Sequence, residues 1–448
     1  MTSFPYEGKV LYLLLAQNGI PNDRWVIASI VANFLGLIVC FLFVRSLPGA
    51  KRMLLITTTV CLLGTALIFS PSVKLILCAL LVISFSAGLF ISAWSYFLRA
   101  NTPAGSRMGT VAKTLAFSSL IMTFINLCAE YVSLWFATGL NMALLAVALV
   151  CVHRMDAKQA DPPAVAAHSA PEPVAFLQPL AALCPFIFVI TINAGLMFQV
   201  IQPAYDGLGL ISDVYWAVPY LAVILLVSRI AKKVDQPYLL ILAISMLGFA
   251  FIAFAAPNHS VWSYLIVNTL LLGACGIFDL YWWSILGELL EFDRNPARLL
   301  GLGLSANVAG VLAGKLIGRT PLLTGTGIGP TLVGLSVVCL ALVLLPPLHR
   351  LLSGMLQKNA FLVSLSALPP QQQRATVERV GSIAGLSERE NEIAMLLLKG
   401  YPYKLIASRL YISESTVKTH VQSIYGKLDI HNRTNLIERF CPDGTLRT

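Results

Sequence analysis

The sequence predicts an all-α protein: a polytopic membrane bundle of 11–12 helices, followed by a small polar domain of four helices. Of its 448 residues, 57% are hydrophobic and only 12% are charged, whereas soluble globular proteins carry about 25% charge. Lipid is therefore the expected solvent of most of the chain. The last part differs, because 13 of the 31 lysines and arginines lie from Arg350 onward. The net charge of +10 fits phospholipid headgroups or nucleic acid equally well.

The membrane helices follow from apolar stretches that can cross a hydrocarbon core, which takes about 20 residues of helix. The candidate spans are 25–45, 53–69, 73–98, 109–128, 131–152, 180–201, 213–231, 238–256, 261–285, 299–318 and 329–348. The stretch 9–20 is too short to cross alone. Either the first helix is truncated or the natural start lies upstream.

The orientation of the bundle follows from the basic residues in its short loops, which favour the cytoplasmic side. One alternating set of loops holds 13 basic residues, namely Arg45, Lys51, Arg52, Arg99, Arg107, Lys113, Arg154, Lys158, Arg229, Lys232, Lys233, Arg294 and Arg298. The other set holds five, namely Lys9, Arg24, Lys74, Lys315 and Arg319. We therefore expect a multi-pass protein of the bacterial cytoplasmic (inner) membrane, with its carboxy-terminal domain in the cytoplasm.

An internal repeat links the two halves of the membrane region. The segment GLFISAWSYFL at 88–98 aligns without gaps on GIFDLYWWSIL at 276–286, pairing Gly88 with Gly276 and Trp94 with Trp282. An offset of about 190 residues then pairs five spans in the same order, which favours duplication over chance. A Pro/Ala-rich stretch at 155–178 would join the two halves.

Two six-helix halves with one orientation and a cytoplasmic linker resemble the major facilitator superfamily of transporters. With the polar tail, this resemblance implies five segments. They are a first membrane half at 1–152, a linker at 153–178, a second membrane half at 179–350, a linker at 351–385 and a terminal domain at 386–448.

A small-molecule site is implied by the same resemblance, since the first and fourth helices of each half line the family's central cavity. The candidate ligand-binding residues on those helices are Trp94, Tyr96, Asn193, Gln199, Asp279, Tyr281 and Trp282. Aromatic faces with a few amide groups suit a flat, weakly polar small molecule. Ordinary helix packing is the competing explanation for any one of them.

Three ionisable residues within or beside the spans need a separate explanation, because charge in a membrane is costly. Asp279 lies about six residues from the cytoplasmic end of its predicted span, where a local structural partner is expected. Lys315 and Glu130 lie near the outer face, and we expect both to reach the membrane interface by snorkelling.

The terminal domain begins with LSERENEIAMLLLKG at 386–400, where Ser387 is a predicted N-cap and Glu390 completes a capping box. A second short helix at 403–410 and a tight turn follow. A third helix starts at Ser413, and its buried stripe is Val417, Val421, Ile424 and Leu428. A fourth helix is predicted at 432–440, with Leu436 and Ile437 packing inward.

This helix-turn-helix closely resembles the LuxR-type DNA-binding domain over 386–437. The residues that carry the resemblance are Leu386, Glu390, Gly400, Ile406, Ala407, Leu410, Ser413, Thr416, Val417, Lys418, His420, Lys427, Leu428 and Arg433. The resemblance implies that Lys418, Thr419 and Gln422 face the DNA bases. It also implies that Ser415, Thr416 and Lys427 contact phosphates. Such domains usually bind promoter DNA as homodimers.

The sequence thus favours a membrane-embedded one-component transcriptional regulator that senses an unidentified small molecule. The alternatives are a major-facilitator-type transporter with an attached regulatory domain, and a membrane part that only anchors the DNA-binding domain. The chain shows no pattern of a catalytic site, a metal cluster or a cofactor site, so we expect no enzyme activity, no metal and no cofactor.

Overall fold

The architecture was analysed in a computed structural model. It describes residues 9–20, 22–103, 106–157, 177–230, 236–256, 260–290, 293, 295–320, 328–367, 377–378, 381–382, 384–398, 401, 403–430, 436 and 439. All regular secondary structure within these ranges is helical, as the sequence predicts. The chain forms two compact units. The membrane unit comprises Met1–Lys158 with Leu180–Pro346, and the second unit contains Pro347–Thr448.

The helices of the first half are α1 (Lys9–Gln17), α2 (Asn22–Phe43), α3 (Leu47–Leu67), α4 (Val73–Asn101), α5 (Arg107–Tyr131) and α6 (Leu134–Arg154). Those of the second half are α7 (Leu177–Leu196), α8 (Leu210–Tyr215), α9 (Ala217–Ile230), α10 (Gln236–Phe254), α11 (Val261–Leu289), α12 (Pro296–Ile317) and α13 (Ile328–Ala367). The carboxy-terminal helices are α14 (Glu388–Leu398), α15 (Tyr403–Leu410) and α16 (Glu414–Leu428). A π-helical turn at Met197–Ile201 and a 3₁₀ turn at Pro203–Leu208 connect α7 to α8.

All eleven predicted spans are helical in the structure. Within the described residues, ten are long and apolar enough to cross a membrane, and the apolar segment Tyr238–Phe254 is shorter. Capping moves two boundaries away from the predicted ones. The side chain of Ser46 accepts a hydrogen bond from the Gly49 amide, so α3 starts at Leu47. Asn295 accepts from the amides of Ala297 and Arg298, so α12 starts at Pro296.

The predicted repeat relates the helix pair α2 and α4 to the pair α9 and α11, and in both pairs a glycine lies close to the backbone of the other helix. A Cβ atom added at Gly88 would collide with the α2 backbone at Asn33 and Leu37, so α4 crosses α2 backbone to backbone. Gly276, the repeat partner of Gly88, approaches the backbone carbonyl of Tyr220 on α9 in the same way. Small residues allow such approach in membrane helices, where packing and not the hydrophobic effect drives association.

The two halves are tied together at the end that carries Arg45, Arg99, Arg107 and Arg154, which we call the basic end. The guanidinium of Arg107 is 1% exposed and donates to the Gly287 carbonyl at 2.7 Å and the Thr102 carbonyl at 3.1 Å. Arg99 donates to the Asp293 carbonyl at 2.8 Å. Main-chain carbonyls of the second half thus hold arginines of the first half.

A second tie lies at the opposite end of the bundle. The ammonium of Lys9 on α1 lies 3.1 Å from an Asp213 carboxylate oxygen on α8 and 3.4 Å from Glu130 on α5. The Tyr131 hydroxyl also donates to Asp213 at 2.9 Å. The halves are therefore in polar contact at both ends of the bundle.

Two of the expectations for the ionisable residues need correction. Lys315 does not extend from the surface of the bundle as snorkelling requires: it is 3% exposed, and its ammonium lies 5.3 Å from the centre of the Phe198 ring. Asp279 lies farther from the end of its helix than predicted, because α11 continues to Leu289 and places it ten residues, about 15 Å of helix, from that end. Its partner is Tyr220, whose hydroxyl donates to the carboxylate at 2.7 Å.

The close contact at Gly88 predicts a large effect of a single methyl group. Gly88→Ala should destabilise the protein by roughly 1–3 kcal/mol, because the α2 backbone must move away. Gly139→Ala is the matched control, since nothing lies within 4 Å of a Cβ at that helix position. Thermal melting of both variants in detergent checks this. Equal melting temperatures for the two would contradict the observed α2–α4 crossing.

Candidate functional site

The carboxy-terminal unit begins with a reciprocal cap at α14, as the sequence predicts. The Ser387 amide donates to the Glu390 carboxylate at 2.7 Å, and the Glu390 amide donates to the Ser387 hydroxyl at 3.3 Å. Two amides at the helix start that have no partner inside the helix are satisfied in this way. The capping box therefore fixes where α14 begins.

A tight turn connects α15 to α16. Tyr411 adopts a positive φ of 54° in this turn. The Ser413 hydroxyl then caps α16 by accepting from the Thr416 amide at 3.0 Å. Helix, turn and capped helix together form the predicted helix-turn-helix.

One face of α16 is buried in the core of the unit, and it is the predicted stripe of Val417, Val421, Ile424 and Leu428. These side chains pack against Ile393, Leu397 and Ile406 of the preceding helices. Burial of one stripe leaves the opposite face of α16 to solvent.

Five of the six predicted DNA-binding residues lie on the exposed face of α16, and none of the five has a buried partner. They are Ser415, Thr416, Lys418, Thr419 and Gln422. The Lys418 side chain is 61% exposed and makes only a surface ion pair with Glu414 at 3.7 Å. The Ser415 and Thr416 hydroxyls contact the Ser413 hydroxyl at 2.6 and 2.7 Å. They gather at the start of the helix, where amides and the helix dipole favour anions.

The sixth predicted residue, Lys427, is also exposed, at 39% of its side chain, but it is paired with a buried carboxylate. Its ammonium donates to Glu390 at 2.7 Å and to the Gly385 carbonyl at 3.1 Å. The Ser423 hydroxyl donates to the other Glu390 oxygen at 2.6 Å. Phosphate contact by Lys427 stays a prediction, and it would compete with this internal pair.

Glu390 thus joins α14 to α16, a role that the sequence analysis missed. Burial alone would raise the pKa of its carboxyl group, but the hydrogen bonds from Lys427, Ser423 and Ser387 outweigh burial and lower this pKa to about 2. The sequence contains one sign of this contact: Ser423 and Lys427 lie one turn apart on α16, so both side chains can reach the same partner. Their common partner, 33 and 37 residues away, was not apparent from local pattern.

The predicted fourth helix lies mostly outside the described residues. Leu436 is described, and it is fully buried in the core of the carboxy-terminal unit. Ile437 is not among the described residues. Dimerisation through this helix stays a prediction.

In the membrane unit, three of the seven predicted ligand-binding residues come together. Asn193 on α7 and Asp279 and Trp282 on α11 line a chamber of about 40 Å³. Neither amide atom of Asn193 has a hydrogen-bond partner among the described residues, nor does the Trp282 indole nitrogen. Both side chains are at most 3% exposed. Tyr220, the partner of Asp279, also lines the chamber and was missed because it lies 59 residues away.

The other four predicted residues lie elsewhere. Trp94 lines a separate cavity of about 490 Å³ formed largely by the first half. The Tyr96 hydroxyl lies 3.3 Å from both the Val44 carbonyl and the Asn295 side chain, as part of the basic end. Gln199 lies in the π-helical turn, and Tyr281 is a buried residue of α11. The seven predicted residues therefore do not line one cavity: three line the small chamber, Trp94 lines the second cavity, and the other three line neither of these two.

Comparison with solved structures defines the class of the membrane unit. The human organic anion transporter MFSD10 (TETRAN) has a TM-score of 0.57 at 14% identity, covering 75% of this chain and 88% of that one. A bacterial homologue of the iron transporter ferroportin, in an outward-facing state, has a TM-score of 0.56 at 14% identity, covering 78% and 95%. These likenesses show the fold: the membrane unit is a major-facilitator-like bundle.

The terminal domain has relatives in sequence. Residues 384–440 match the family of bacterial regulatory proteins described as the luxR family. The nitrate/nitrite response regulator NarL of Escherichia coli K12 is 38% identical over 90 residues, which are 20% of this chain and 41% of NarL. The response regulator VraR of Staphylococcus aureus is 48% identical over 52 residues, 12% of this chain and 25% of VraR.

The chain thus spans less than half the length of these curated relatives, and the similarity is confined to one domain. That domain is a LuxR-type helix-turn-helix, the class found in DNA-binding regulators. This protein combines it with a major-facilitator-like membrane bundle in a single polypeptide.

The Glu390 contacts predict a specific loss of stability. Glu390→Gln should lower the stability of the carboxy-terminal unit by roughly 1–3 kcal/mol at pH 7, because Lys427 loses a buried charged partner. Glu392→Gln is the control, since that carboxylate is 55% exposed and forms only a surface pair with Arg389. Hydrogen exchange of α14 and α16 amides in the full chain measures both.

The pH dependence of this effect has a defined sign. Since the folded-state pKa of Glu390 lies below its ordinary value of 4.5, the stabilisation is complete above about pH 4.5 and disappears toward pH 2. After correction for intrinsic exchange rates, the difference between wild type and Glu390→Gln should shrink over that range. A difference that stays constant from pH 7 to pH 2 would show that the carboxylate charge contributes nothing.

Proposed function

We propose that this protein is a membrane-embedded one-component transcriptional regulator, which senses a small molecule in its transporter-like unit and binds promoter DNA through α16. The observation that carries the proposal is the exposed polar face of α16. It belongs to a capped helix of a LuxR-type domain, in the same polypeptide as a major-facilitator-like bundle.

The proposed contacts follow from side-chain chemistry. The Lys418 ammonium donates to guanine O6 and N7, and Gln422 pairs with adenine through its amide. The Thr419 hydroxyl already donates to the Ser415 carbonyl at 3.1 Å, so its methyl group is the part suited to thymine. Ser415 and Thr416, at the helix start, contact phosphates and fix the register of the helix on DNA. We also propose that the domain binds as a homodimer.

The position of this domain inside the cell follows from the basic loops. Because cytoplasmic loops carry the excess of lysine and arginine, the basic end faces the cytoplasm of a bacterium. The predicted span of the last membrane helix ends at residue 348, but the helix itself, α13, continues to Ala367. A displacement of this helix would be carried along the chain toward the DNA-binding domain by a helical segment.

The sensing step is proposed for the chamber of Asn193, Asp279 and Trp282. Buried polar atoms are nearly always hydrogen-bonded in folded proteins, and each one left without a partner costs about 1–3 kcal/mol. A polar group supplied by a ligand would recover that free energy. A tenfold change in promoter occupancy requires about 1.4 kcal/mol of differential affinity between two states of the protein.

Transport is the second candidate function, because the structural neighbours are described as transporters. Saturable accumulation of a compound in vesicles containing the full chain would favour it. Binding of the same compound without flux favours the regulator.

The DNA-reading assignment is tested by the double variant Lys418→Ala with Gln422→Ala. Loss of two base contacts should weaken promoter binding by roughly 2–6 kcal/mol, enough to abolish regulation, while membrane insertion stays intact. Glu392→Ala, an exposed change on α14, is the control and should regulate normally. A double variant that still regulates like wild type would refute the role of α16.

The sensing assignment is tested by Asn193→Leu with Trp282→Phe, which removes the unpartnered polar atoms; leucine is close to asparagine in size, and phenylalanine keeps an aromatic ring that is smaller than the indole. The readout is a reporter gene under the promoter that lies next to the gene for this protein. We expect the double variant to abolish the response of this reporter to the compound that induces it with the wild-type protein. Thermal melting checks that the variant folds, since removal of the unpartnered polar atoms offsets part of the packing that is lost with the indole. Trp262→Phe, an exposed change on the same helix, is the control. A full response in the double variant would remove the chamber from the mechanism.

A further inference from the structure

A cavity of about 490 Å³ lies among α3, α4, α5 and α6 in the membrane unit. Fifteen residues line it, and all but Trp283 belong to the first half. Sites for drug-sized ligands have volumes of about 300–1,000 Å³ and mostly apolar walls. We propose that this cavity binds a neutral, mainly apolar small molecule with a hydrogen-bond donor, and that Trp283 transmits its occupancy to the second half.

The charge of the ligand follows from the walls of the cavity. None of the fifteen lining residues is acidic or basic. An ion entering from water would lose its hydration without gaining a partner of opposite charge, which is strongly unfavourable. A phospholipid headgroup would find no arginine or lysine here to hold its phosphate. The fitting occupant is therefore an uncharged molecule that exchanges freely with the bilayer.

The polar side chains in the walls include the Asn141 amide and three hydroxyl groups, and the hydroxyl groups favour a ligand that donates a hydrogen bond. The hydroxyls of Thr58, Thr114 and Ser118 donate to carbonyls of their own helices, at 2.7, 2.9 and 3.0 Å. Their protons are thereby used, whereas their oxygen lone pairs can still accept. A ligand that carries an O–H or N–H group on an apolar body matches these acceptors.

The repeat explains why this cavity differs from the chamber of Asp279. The α4 wall includes Phe90, Ile91 and Trp94. The alignment that pairs Gly88 with Gly276 pairs these residues with Phe278, Asp279 and Trp282, which line the small chamber of the second half. The same helix face thus borders a chamber in each half. Isoleucine at the aspartate position makes the first-half chamber apolar.

Two walls of the cavity are joined directly at the basic end. Trp283 lies one helical turn before Gly287 on α11, and the Gly287 carbonyl accepts from the buried Arg107 guanidinium at 2.7 Å. Arg107 is the first residue of α5, whose Val111, Thr114 and Leu115 form another wall. An occupant that separates α5 from α11 therefore acts on the contact that ties the halves together.

An effect of the cavity ligand on transcription rests on the proposed function, whereas binding of the ligand does not. The experiment therefore measures binding alone. The full chain in nanodiscs is titrated with N-phenyl-1-naphthylamine, a neutral apolar probe with one N–H group. Its anionic relative 8-anilinonaphthalene-1-sulfonate is the charge control. We expect saturable binding of the neutral probe, and at least about tenfold weaker binding of the sulfonate.

A matched pair of variants assigns that binding to the cavity. Ala148→Phe fills the cavity from α6 and should weaken binding at least about tenfold. Ala146→Phe adds the same ring on the exposed side of the same helix and should bind within about twofold of wild type. Thermal melting confirms folding. If Ala148→Phe is destabilised, Ala87→Phe fills the cavity from α4 and carries the same expectation.

Three results would overturn the proposal. The first is equal probe binding by the cavity-filled variant and Ala146→Phe, and the second is equal affinity for the sulfonate. The third is stoichiometric phospholipid that co-purifies with wild type but not with the filled variant, which would make the occupant a structural lipid. If binding behaves as expected but the probe and its analogues leave promoter activity unchanged, the binding site stands, and only its effect on transcription is refuted; the sensing step proposed for the chamber of Asn193 is tested separately by the variants of that chamber.

Discussion

The structure of the membrane unit depends on a buried guanidinium at the basic end. Arg107 starts α5 in the first half and donates to the end of α11 in the second half, so this buried side chain links the two halves directly. A buried charge is stable only where its donors are satisfied, and main-chain carbonyls at helix ends have lone pairs that the helix itself does not use. Both internal chambers include α11 residues within two turns of this contact.

The repeated halves have diverged in chemistry while retaining their packing. Gly88 and Gly276 allow backbones to approach in both halves, which preserves the geometry of the crossing. The neighbouring positions differ, with Ile91 in one half and Asp279 in the other. One half consequently contains a wide apolar cavity, and the other a small chamber with unpartnered polar atoms. Duplication with divergence gives one bundle two environments for ligands of different polarity.

The carboxy-terminal unit separates its stabilising charges from its exposed polar face. Glu390 gathers Ser387, Ser423 and Lys427 around one carboxylate, and those contacts hold α14 against α16. Lys418 and Gln422 lie on the exposed face without such ties. Because the pKa of Glu390 is lowered to about 2, its charge does not change over the physiological pH range. The contacts that hold α14 against α16 are therefore separate from the face that is proposed to read DNA.

The sequence alone determined what depends on local chemistry and on composition. Apolar length predicted the spans, the Ser387–Glu390 and Ser413 caps predicted helix starts, and a 3.6-residue period predicted the buried stripe of α16. Tertiary structure decided what depends on distant partners. The pairing of Tyr220 with Asp279, the capture of Lys427 by Glu390 and the burial of Lys315 join residues far apart in the chain, or depend on how neighbouring helices pack. That the residues of one expected cavity do not line a single chamber has the same origin, because cavity shape is set by how helices cross, and periodicity carries no information about crossing distance.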